Sequence, residues 1–90
     1  MRVIWDPAKA RTNRARHGVS FEEAASALLD PFAIEAPDLL DPARTVVIGR
    51  SGRSRLLFVV VLVFETAELV RIISARKASP SQRRKYEEAP

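Results

Sequence analysis

Cations gathered near the C-terminus are the residues of this chain best suited to chemistry. Between positions 71 and 86 there are six cations and one tyrosine, with no acid before Glu87. They are Arg71, Arg76, Lys77, Arg83, Arg84, Lys85 and Tyr86. The planar guanidinium of arginine matches two phosphate oxygens at once and stays protonated. The cluster therefore favours a polyanion with a phosphodiester backbone over a neutral metabolite.

The two arginines of the last predicted strand, Arg71 and Arg76, are not equivalent candidates. Arg76 ends an apolar strand, so its backbone is held and its head can be aimed at a phosphate, with a plain surface arginine as the alternative. Side chains alternate faces along a strand, so these two residues point to opposite sides unless a bulge intervenes. Arg71 is therefore the weaker candidate for substrate binding, and its alternative is a structural ion pair with Glu65 or Glu68.

Three other side chains are candidates, each with a structural alternative. Tyr86 shares a helical face with Gln82 and Arg83, and it either stacks on a base, orients a proton or completes the core. His17 is the single histidine, and histidine titrates near neutral pH, which suits a general acid or base. At a helix C-terminus it would instead cap the last carbonyls. Lys9 is a further cation, which contributes only if its helix approaches the C-terminal cluster.

Local start and stop signals predict two N-terminal helices. Asp6-Pro7 supplies an N-cap and a proline at the first helical position, so a helix runs from there to Arg16. His17-Gly18 then closes this helix with glycine as the stop residue. Ser20-Phe-Glu-Glu23 has the capping-box pattern and begins a second helix, which Asp30-Pro31 ends.

Strand patterns and a last helix complete the predicted fold. Strands are expected at residues 2–5, 44–48, 56–64 and 69–76, with a short extra strand at residues 32–35 as an option. Residues 49–52 form a predicted glycine-bearing turn. Ser79-Pro80 repeats the cap and proline and begins a helix that extends to about Glu88. The order of elements indicates one α+β domain over residues 1–90, with a twisted antiparallel sheet of three to four strands between two N-terminal helices and a C-terminal helix.

Composition and charge narrow the function classes. The chain has a net charge of +4, 47% hydrophobic residues, 29% charged residues and no cysteine. Its longest apolar run spans nine residues, whereas a membrane-spanning helix needs about 20. We find no signal-peptide pattern, catalytic carboxylate pair or histidine cluster, so we expect a cytoplasmic protein without metal or cofactor. Six acids and no base lie between positions 21 and 42, which predicts separate acidic and basic faces.

Ordered fragments along nearly the whole chain resemble the signature of BrnT-type toxins. The fragments are Val3-Ile-Trp-Asp-Pro7, Lys9, Asn13, His17-Gly-Val-Ser-Phe-Glu-Glu-Ala24, Asp30-Pro31, Arg71-Ile-Ile-Ser-Ala-Arg76, Arg83-Arg84 and Tyr86-Glu87. The resemblance implies a RelE-like fold and a metal-independent ribonuclease that arrests growth. It also implies a cognate BrnA-like antitoxin with a ribbon-helix-helix DNA-binding part, through which the complex would bind its operator DNA. Residues 34–41, acidic and proline-bearing, match no part of that signature.

Metal-free RNA cleavage, which the resemblance implies, sets three chemical tasks. A base activates the 2′-hydroxyl, cations neutralise the phosphorane, and an acid protonates the departing 5′-oxygen. The candidate catalytic residues are Arg76, Tyr86 and His17, and the candidate substrate-binding residues are Lys77, Arg84, Arg83, Lys9 and Arg71. Two alternatives remain open. One is a basic nucleic-acid-binding module that does not cleave, and the other is a corepressor or partner-binding protein that receives an acidic antitoxin segment.

Overall fold

A five-stranded sheet forms the centre of the protein, and the computed structural model describes residues 1–89. Its strands are β1 (Arg2–Ile4), β2 (Ile34–Pro37), β3 (Thr45–Arg50), β4 (Leu56–Phe64) and β5 (Leu69–Lys77), in the spatial order β1-β5-β4-β3-β2. The first strand is parallel to the last, and the other neighbours are antiparallel. The prediction of an antiparallel sheet of three to four strands is therefore wrong in two respects: the sheet has five strands, and its edge strand β1 is parallel to β5. The pairing of β1 with β5 joins residues that are far apart in sequence, so local patterns do not predict it.

Helices α1 (Pro7–His17) and α2 (Phe21–Ala27) pack on one face of this sheet and enclose the core. The largest side chains of this core that are completely or almost completely buried are Phe21, Leu57, Ile72, Val19, Val59 and Val61. Trp5 packs edge-on against Phe21, with ring centroids 6.1 Å apart. Burial of these groups is the main stabilising term of a domain of this size.

The opposite face of the sheet is covered only in part, by helix α3 (Pro80–Glu88). We call it the open face, and it carries side chains of Ile34, Ala36, Val46, Ile48, Phe58 and Arg76. Gln82 and Lys85 of α3 line the same groove as several of these residues. The sheet therefore has one closed apolar face and one face with apolar and cationic side chains that a ligand can reach.

The predicted helix starts at Asp6 and Ser79 are confirmed. The Oδ1 atom of Asp6 accepts a hydrogen bond from the backbone amide of Ala8 at 3.0 Å. Ser79 and Gln82 form a complete capping box at the start of α3. Both signals depend on contacts between neighbouring residues, so the local sequence is sufficient to predict them. The second helix is shorter than predicted and ends at Ala27.

Glu23 is a buried carboxylate that joins α2 to the loop after β3. Only the serine half of the predicted box is present, since the Ser20 hydroxyl accepts from the Glu23 amide at 3.0 Å. The Glu23 carboxylate instead accepts from the Ser51 hydroxyl at 2.7 Å and from Nε of Arg55 at 2.8 Å, with Nη2 of Arg55 as a further donor. The hydrogen bond from Arg55 lowers the pKa of Glu23, although burial opposes it.

The turn predicted at residues 49–52 is present but begins later, because Gly49 and the residue after it continue β3. The chain turns between Ser51 and Arg55, where the Ser51 amide donates to the carbonyl of Arg55 at 2.8 Å. Gly49 is needed inside the strand because a Cβ there would lie 2.4 Å from the carbonyl oxygen of Ala27. This glycine therefore permits a close approach of α2 to the sheet rather than a turn.

Asn13 ties α1 to β5 beyond the end of β1. Its Nδ2 atom donates to the carbonyl oxygens of Val19 at 3.0 Å and Ala75 at 2.9 Å, and its Oδ1 atom accepts from the Ala75 amide at 3.0 Å. The side chain thus satisfies both backbone groups of Ala75, as a neighbouring strand would. The C-terminal half of α1 is consequently held against the edge of β5.

Candidate active site

A β-bulge in β5 decides where the arginines of this strand point. The register with β4 slips by one residue between Ile72 and Ser74, so Ile73 has no partner there. The extra residue shifts the alternation, and Arg71 and Arg76 both lie on the open face. The two arginines were expected on opposite sides of the sheet unless a bulge lay between them. The bulge at Ile73 is present, so the expectation of opposite sides is wrong.

The guanidinium of Arg76 is held in place but is not neutralised. Its Cζ atom lies 4.3 Å from the ring centroid of Phe58, and its Nη1 atom donates to the Lys77 carbonyl at 3.2 Å and to Oε1 of Gln82 at 3.1 Å. None of these partners is anionic, and within residues 1–89 Arg76 forms no ion pair. Since Oε1 of Gln82 also accepts from the Ser79 amide at 2.8 Å, the capping box of α3 orients this arginine.

Arg71 lacks the structural ion pair that was its alternative. In the described part of the chain, the salt bridges join Arg44 to Asp41 and both Arg53 and Arg55 to Glu23. Arg71 is half-buried and pairs in register with Leu62 of β4. The ion pair with Glu65 or Glu68 is therefore wrong, and substrate binding by Arg71 stays a prediction.

A second cationic feature is a groove of about 290 Å³ between α1 and β5, which we call the α1–β5 groove. Its lining includes Lys9, Thr12, Arg16, His17, Ile73 and Ser74. Lys9 and Arg16 are seven residues apart and so occupy one side of α1. The first helix thus approaches β5, and the structure brings Lys9 and His17 together in one groove.

His17 stands in this groove without a capping role. Gly18, with a φ of 69°, is the C-cap of α1, and its amide donates to the carbonyl of Arg14 at 2.9 Å. The left-handed glycine conformation therefore satisfies the helix end in the usual way. Across residues 1–89 the half-buried imidazole makes no hydrogen bond, so the capping alternative is not what the structure shows.

Ser74 connects the α1–β5 groove to Arg76. It lines the groove, and a spacing of two residues on a strand puts it on the same face as Arg76, roughly 7 Å away along the chain. Sequence reasoning missed both Ser74 and Arg16. The seven-residue spacing from Lys9 would have indicated Arg16, whereas the place of Ser74 depends on a bulge that has no signal in the sequence.

Tyr86 joins α3 to the loop after α2. Its hydroxyl donates to Oδ2 of Asp30 at 2.6 Å, and the guanidinium carbon of Arg50 lies 5.6 Å from its ring centroid. The hydrogen bond to Asp30 raises the pKa of Tyr86. Burial raises the pKa of Asp30, but hydrogen bonds from Tyr86 and from the amides of Arg50 and Phe32 together lower it. The phenol is thus occupied by a contact that anchors the last helix.

The other predicted phosphate contacts, Lys77, Arg83 and Arg84, are exposed on the surface near the start of α3. They lie outside the lining of the α1–β5 groove. Residues 1–89 contain no group of three or more His, Cys, Asp or Glu that could hold a metal ion.

Comparison with known proteins identifies the family. Residues 5–82 match the family model described as the ribonuclease toxin, BrnT, of type II toxin-antitoxin system. The chain belongs to this family. The 1.1 Å crystal structure of the Brucella abortus ribonuclease toxin, BrnT, is similar to it, with a TM-score of 0.70 and 30% sequence identity over 88% of this chain and 97% of that chain. The curated proteins contain no match.

Membership of the BrnT family confirms two predictions. The protein is a ribonuclease toxin of a type II toxin–antitoxin system, and its partner is a cognate antitoxin. The two alternative classes, a non-cleaving binding module and a pure partner-binding protein, are therefore disfavoured. None of the helices in residues 1–89 has the length and apolar character needed to cross a membrane.

Proposed function

We propose that this BrnT-family toxin cleaves RNA without a metal ion, along a path from the α1–β5 groove across β5 to Arg76. The bulge at Ile73 is the observation that carries the proposal, because it puts Ser74 in the groove wall and Arg76 on the open face. Bulges next to active sites often redirect side chains in this way. An RNA strand on this path meets Lys9 and Arg16 at one end and Arg76 at the other.

The proposed reaction is an internal transesterification of the RNA backbone. The 2′-oxygen of one nucleotide forms a bond to the adjacent phosphorus while the bond from phosphorus to the next 5′-oxygen breaks. A base takes the 2′-hydroxyl proton and an acid gives one to the 5′-oxygen, which leaves a 2′,3′-cyclic phosphate and a 5′-hydroxyl. Arg76 donates to the phosphorane oxygens through Nε and Nη2, the nitrogens that its protein contacts leave unused.

The remaining tasks fall to the lining of the α1–β5 groove. His17 takes the proton of the 2′-hydroxyl, because its imidazole lies in the groove wall with no protein partner across residues 1–89. A solvent water gives a proton to the departing 5′-oxygen. Lys9 and Arg16 hold the phosphates that flank the cleaved bond. Outside the groove, the exposed Lys77, Arg83 and Arg84 and the half-buried Arg71 add affinity for the RNA backbone without directing the chemistry.

Tyr86 positions α3 and does not transfer a proton in the proposed reaction. Its hydroxyl already donates to Asp30 at 2.6 Å, and the carboxylate raises its pKa, which keeps the phenol protonated. By holding α3 in place, Tyr86 holds Gln82, and Gln82 accepts the hydrogen bond that orients Arg76. The tyrosine thus acts on the site through the position of the helix.

The partner is a BrnA-like antitoxin with a ribbon-helix-helix part that binds operator DNA, so this chain reaches DNA only through the antitoxin. The site of action is the cytoplasm, where messenger RNA is available. The strong segregation of charge supports an acidic partner, because the cationic face that binds RNA can also bind an acidic segment of the antitoxin. These finer features of the partner follow from the resemblance to BrnT-type toxins.

Chelation and a 2′-deoxy substrate test the mechanism. The purified chain in EDTA is expected to cleave an end-labelled RNA oligonucleotide and leave a 2′,3′-cyclic phosphate, since arginine supplies the charge that a metal would supply. The same oligonucleotide with 2′-deoxyribose at the cleavage site should bind and stay intact, because the nucleophile is missing. Loss of cleavage in EDTA that Mg²⁺ restores, or cleavage of the deoxy substrate, contradicts the proposal.

Replacing His17 with alanine is expected to lower the cleavage rate by about 100-fold, the usual contribution of a positioned general acid or base. Stability should change little, because Gly18 caps the helix. The measurement is the pH dependence of the single-turnover rate, which should lose one limb in the variant. Arg14→Ala is the matched control on an exposed side of the same helix, and a comparable loss in both variants would argue against proton transfer by His17.

A further inference from the structure

A second groove, on the open face, has a volume of about 430 Å³ and mostly apolar walls. Its floor is formed by Ile34 and Ala36 of β2, Val46 and Ile48 of β3, and Phe58 of β4. The antiparallel register puts these five side chains on one side of the sheet. We call this feature the open-face groove. It is separate from the α1–β5 groove, with which it shares no lining residue.

One wall of the open-face groove displays two consecutive leucines to solvent. Leu39 is 99% exposed and Leu40 is 94% exposed. A defined loop presents them, since Asp38 accepts from the Leu40 amide at 3.1 Å and donates through its own amide to the carbonyl of Arg44 at 3.0 Å. Adjacent exposed leucines beside an apolar groove form a continuous patch of the kind that marks an interaction site. The patch lies in the acidic, proline-bearing segment of residues 34–41.

The opposite wall carries positive charge and leads to the proposed catalytic cation. Lys85 of α3 lines the groove together with Gln82 and Phe58. Both Gln82 and Phe58 also contact the Arg76 guanidinium. Any chain segment that fills this groove therefore lies close to Arg76. It meets Lys85 on the α3 wall, and the two leucines with Glu35 and Asp38 on the β2 side.

We propose that the open-face groove is the docking surface for the antitoxin, through a segment that is apolar on one side and acidic where it faces α3. Charge complementarity at the α3 wall favours this occupant, because Lys85 lines that wall and the Arg76 guanidinium contacts two other lining residues, Gln82 and Phe58. The carboxylates of Glu35 and Asp38 line the β2 side of the groove, so the acidic side of the docked segment faces α3. The consequence, which rests on the proposed function, is that the docked antitoxin covers Arg76 and excludes RNA.

Removing the leucine patch tests the docking surface. The double variant Leu39→Ser/Leu40→Ser is expected to cleave RNA within about two-fold of the wild-type rate, since both side chains are exposed. Its affinity for the purified cognate antitoxin, measured by calorimetry, should fall by at least about 30-fold, the effect of two buried anchors. The variant Lys85→Glu should weaken the same complex and reduce its sensitivity to salt.

A matched control uses exposed apolar residues outside the open-face groove. Leu29 is 76% exposed and Phe32 is 71% exposed, and neither lines the groove. The double variant Leu29→Ser/Phe32→Ser should bind the antitoxin as the wild type does. Equal weakening in both double variants, or unchanged affinity in the leucine variant, overturns the proposal. Sedimentation of the chain alone gives a further outcome, because a dimer that the leucine variant abolishes would assign the groove to a second copy.

Competition with RNA separates this inference from the proposed function. A fluorescent oligonucleotide with 2′-deoxyribose at the cleavage site should be displaced as the antitoxin is added, and simultaneous binding of both ligands overturns the covering of Arg76. If the wild-type chain fails to cleave RNA in EDTA while the leucine variant still loses the antitoxin, the proposed mechanism fails and the docking surface stands. The reverse pattern removes the docking surface and leaves the mechanism in place.

Discussion

Replacing Arg76 with alanine is expected to reduce RNA cleavage by about 10²- to 10³-fold, the loss typical of removing one preorganised donor to a developing charge. The guanidinium has two unused nitrogens, lies on the ring of Phe58 and is oriented by Gln82, so it needs no rearrangement to meet a phosphorane. The fold should survive, since none of its contacts is an ion pair across residues 1–89. Single-turnover cleavage at saturating protein isolates the chemical step from RNA binding.

Two further variants sharpen the Arg76 test. Arg76→Lys keeps the positive charge but loses the planar fork and the stacking on Phe58, so it should restore only part of the activity. Arg83→Ala removes an exposed cation from α3 and should weaken RNA binding a few-fold with little effect on the saturated rate. A saturated rate for Arg76→Ala equal to that of the wild type would contradict the role of Arg76 and assign stabilisation of the phosphorane charge to the cations of the α1–β5 groove.

Replacing Glu23 with glutamine is expected to lower the free energy of unfolding by about 2–4 kcal/mol near pH 7, because it leaves Arg55 and Ser51 without their anionic partner. The Glu23 side chain is 4% exposed, so water cannot substitute for it. The Arg55 side chain is 25% exposed, so partial hydration keeps the loss below that of a fully buried pair. Urea unfolding measured by circular dichroism gives the difference directly.

The same variant predicts a definite pH dependence. The Arg55 hydrogen bond lowers the pKa of Glu23 from its ordinary value of 4.5, so the unfolded chain binds a proton at a higher pH than the folded one. The stabilisation is therefore complete above 4.5 and is lost as the pH falls through the lowered pKa of the folded state. The gap in stability between the wild type and Glu23→Gln should narrow over that acidic range.

Glu22→Gln is the control for Glu23, since it makes the same chemical change at an exposed neighbour in the same helical turn. Its effect on unfolding should be within about 0.5 kcal/mol at every pH. If Glu23→Gln unfolded at the same urea concentration as Glu22→Gln, the Glu23–Arg55 pair would contribute no net stability.

The elements with contacts between near neighbours in sequence were predictable. The caps at Asp6 and Ser79 satisfy helix amides within three residues, so their residue types are sufficient to place α1 and α3. The predicted long apolar strand at residues 56–64 is observed as β4 (Leu56–Phe64), because a run of that length and composition has to be buried. Arg76 was a candidate because it ends the predicted strand at residues 69–76, whose backbone the core holds, and the structure has it within β5.

The candidate site is less predictable because its parts come from distant segments. His17 was a candidate by residue type, but its place depends on Asn13, which ties α1 to Ala75 of β5. Glu23 has the residue type and position of a capping-box partner, yet it contacts Arg55, because a guanidinium is a stronger partner for a buried carboxylate than a backbone amide. In each case the side chain takes a position that depends on residues distant in sequence, and a local sequence pattern carries no information about those residues.

The amino-acid sequence by itself determined the helix starts, the buried central strand, the cationic C-terminal cluster and the resemblance to BrnT-type toxins. Tertiary structure alone decided the parallel pairing of β1 with β5, the bulge at Ile73 and the open-face groove. The physical reason is the range of the interactions. Helix caps and apolar strand patterns involve residues that are close in sequence. Strand register, and with it the face of the sheet on which Arg71 and Arg76 lie, depends on hydrogen bonds to a partner strand.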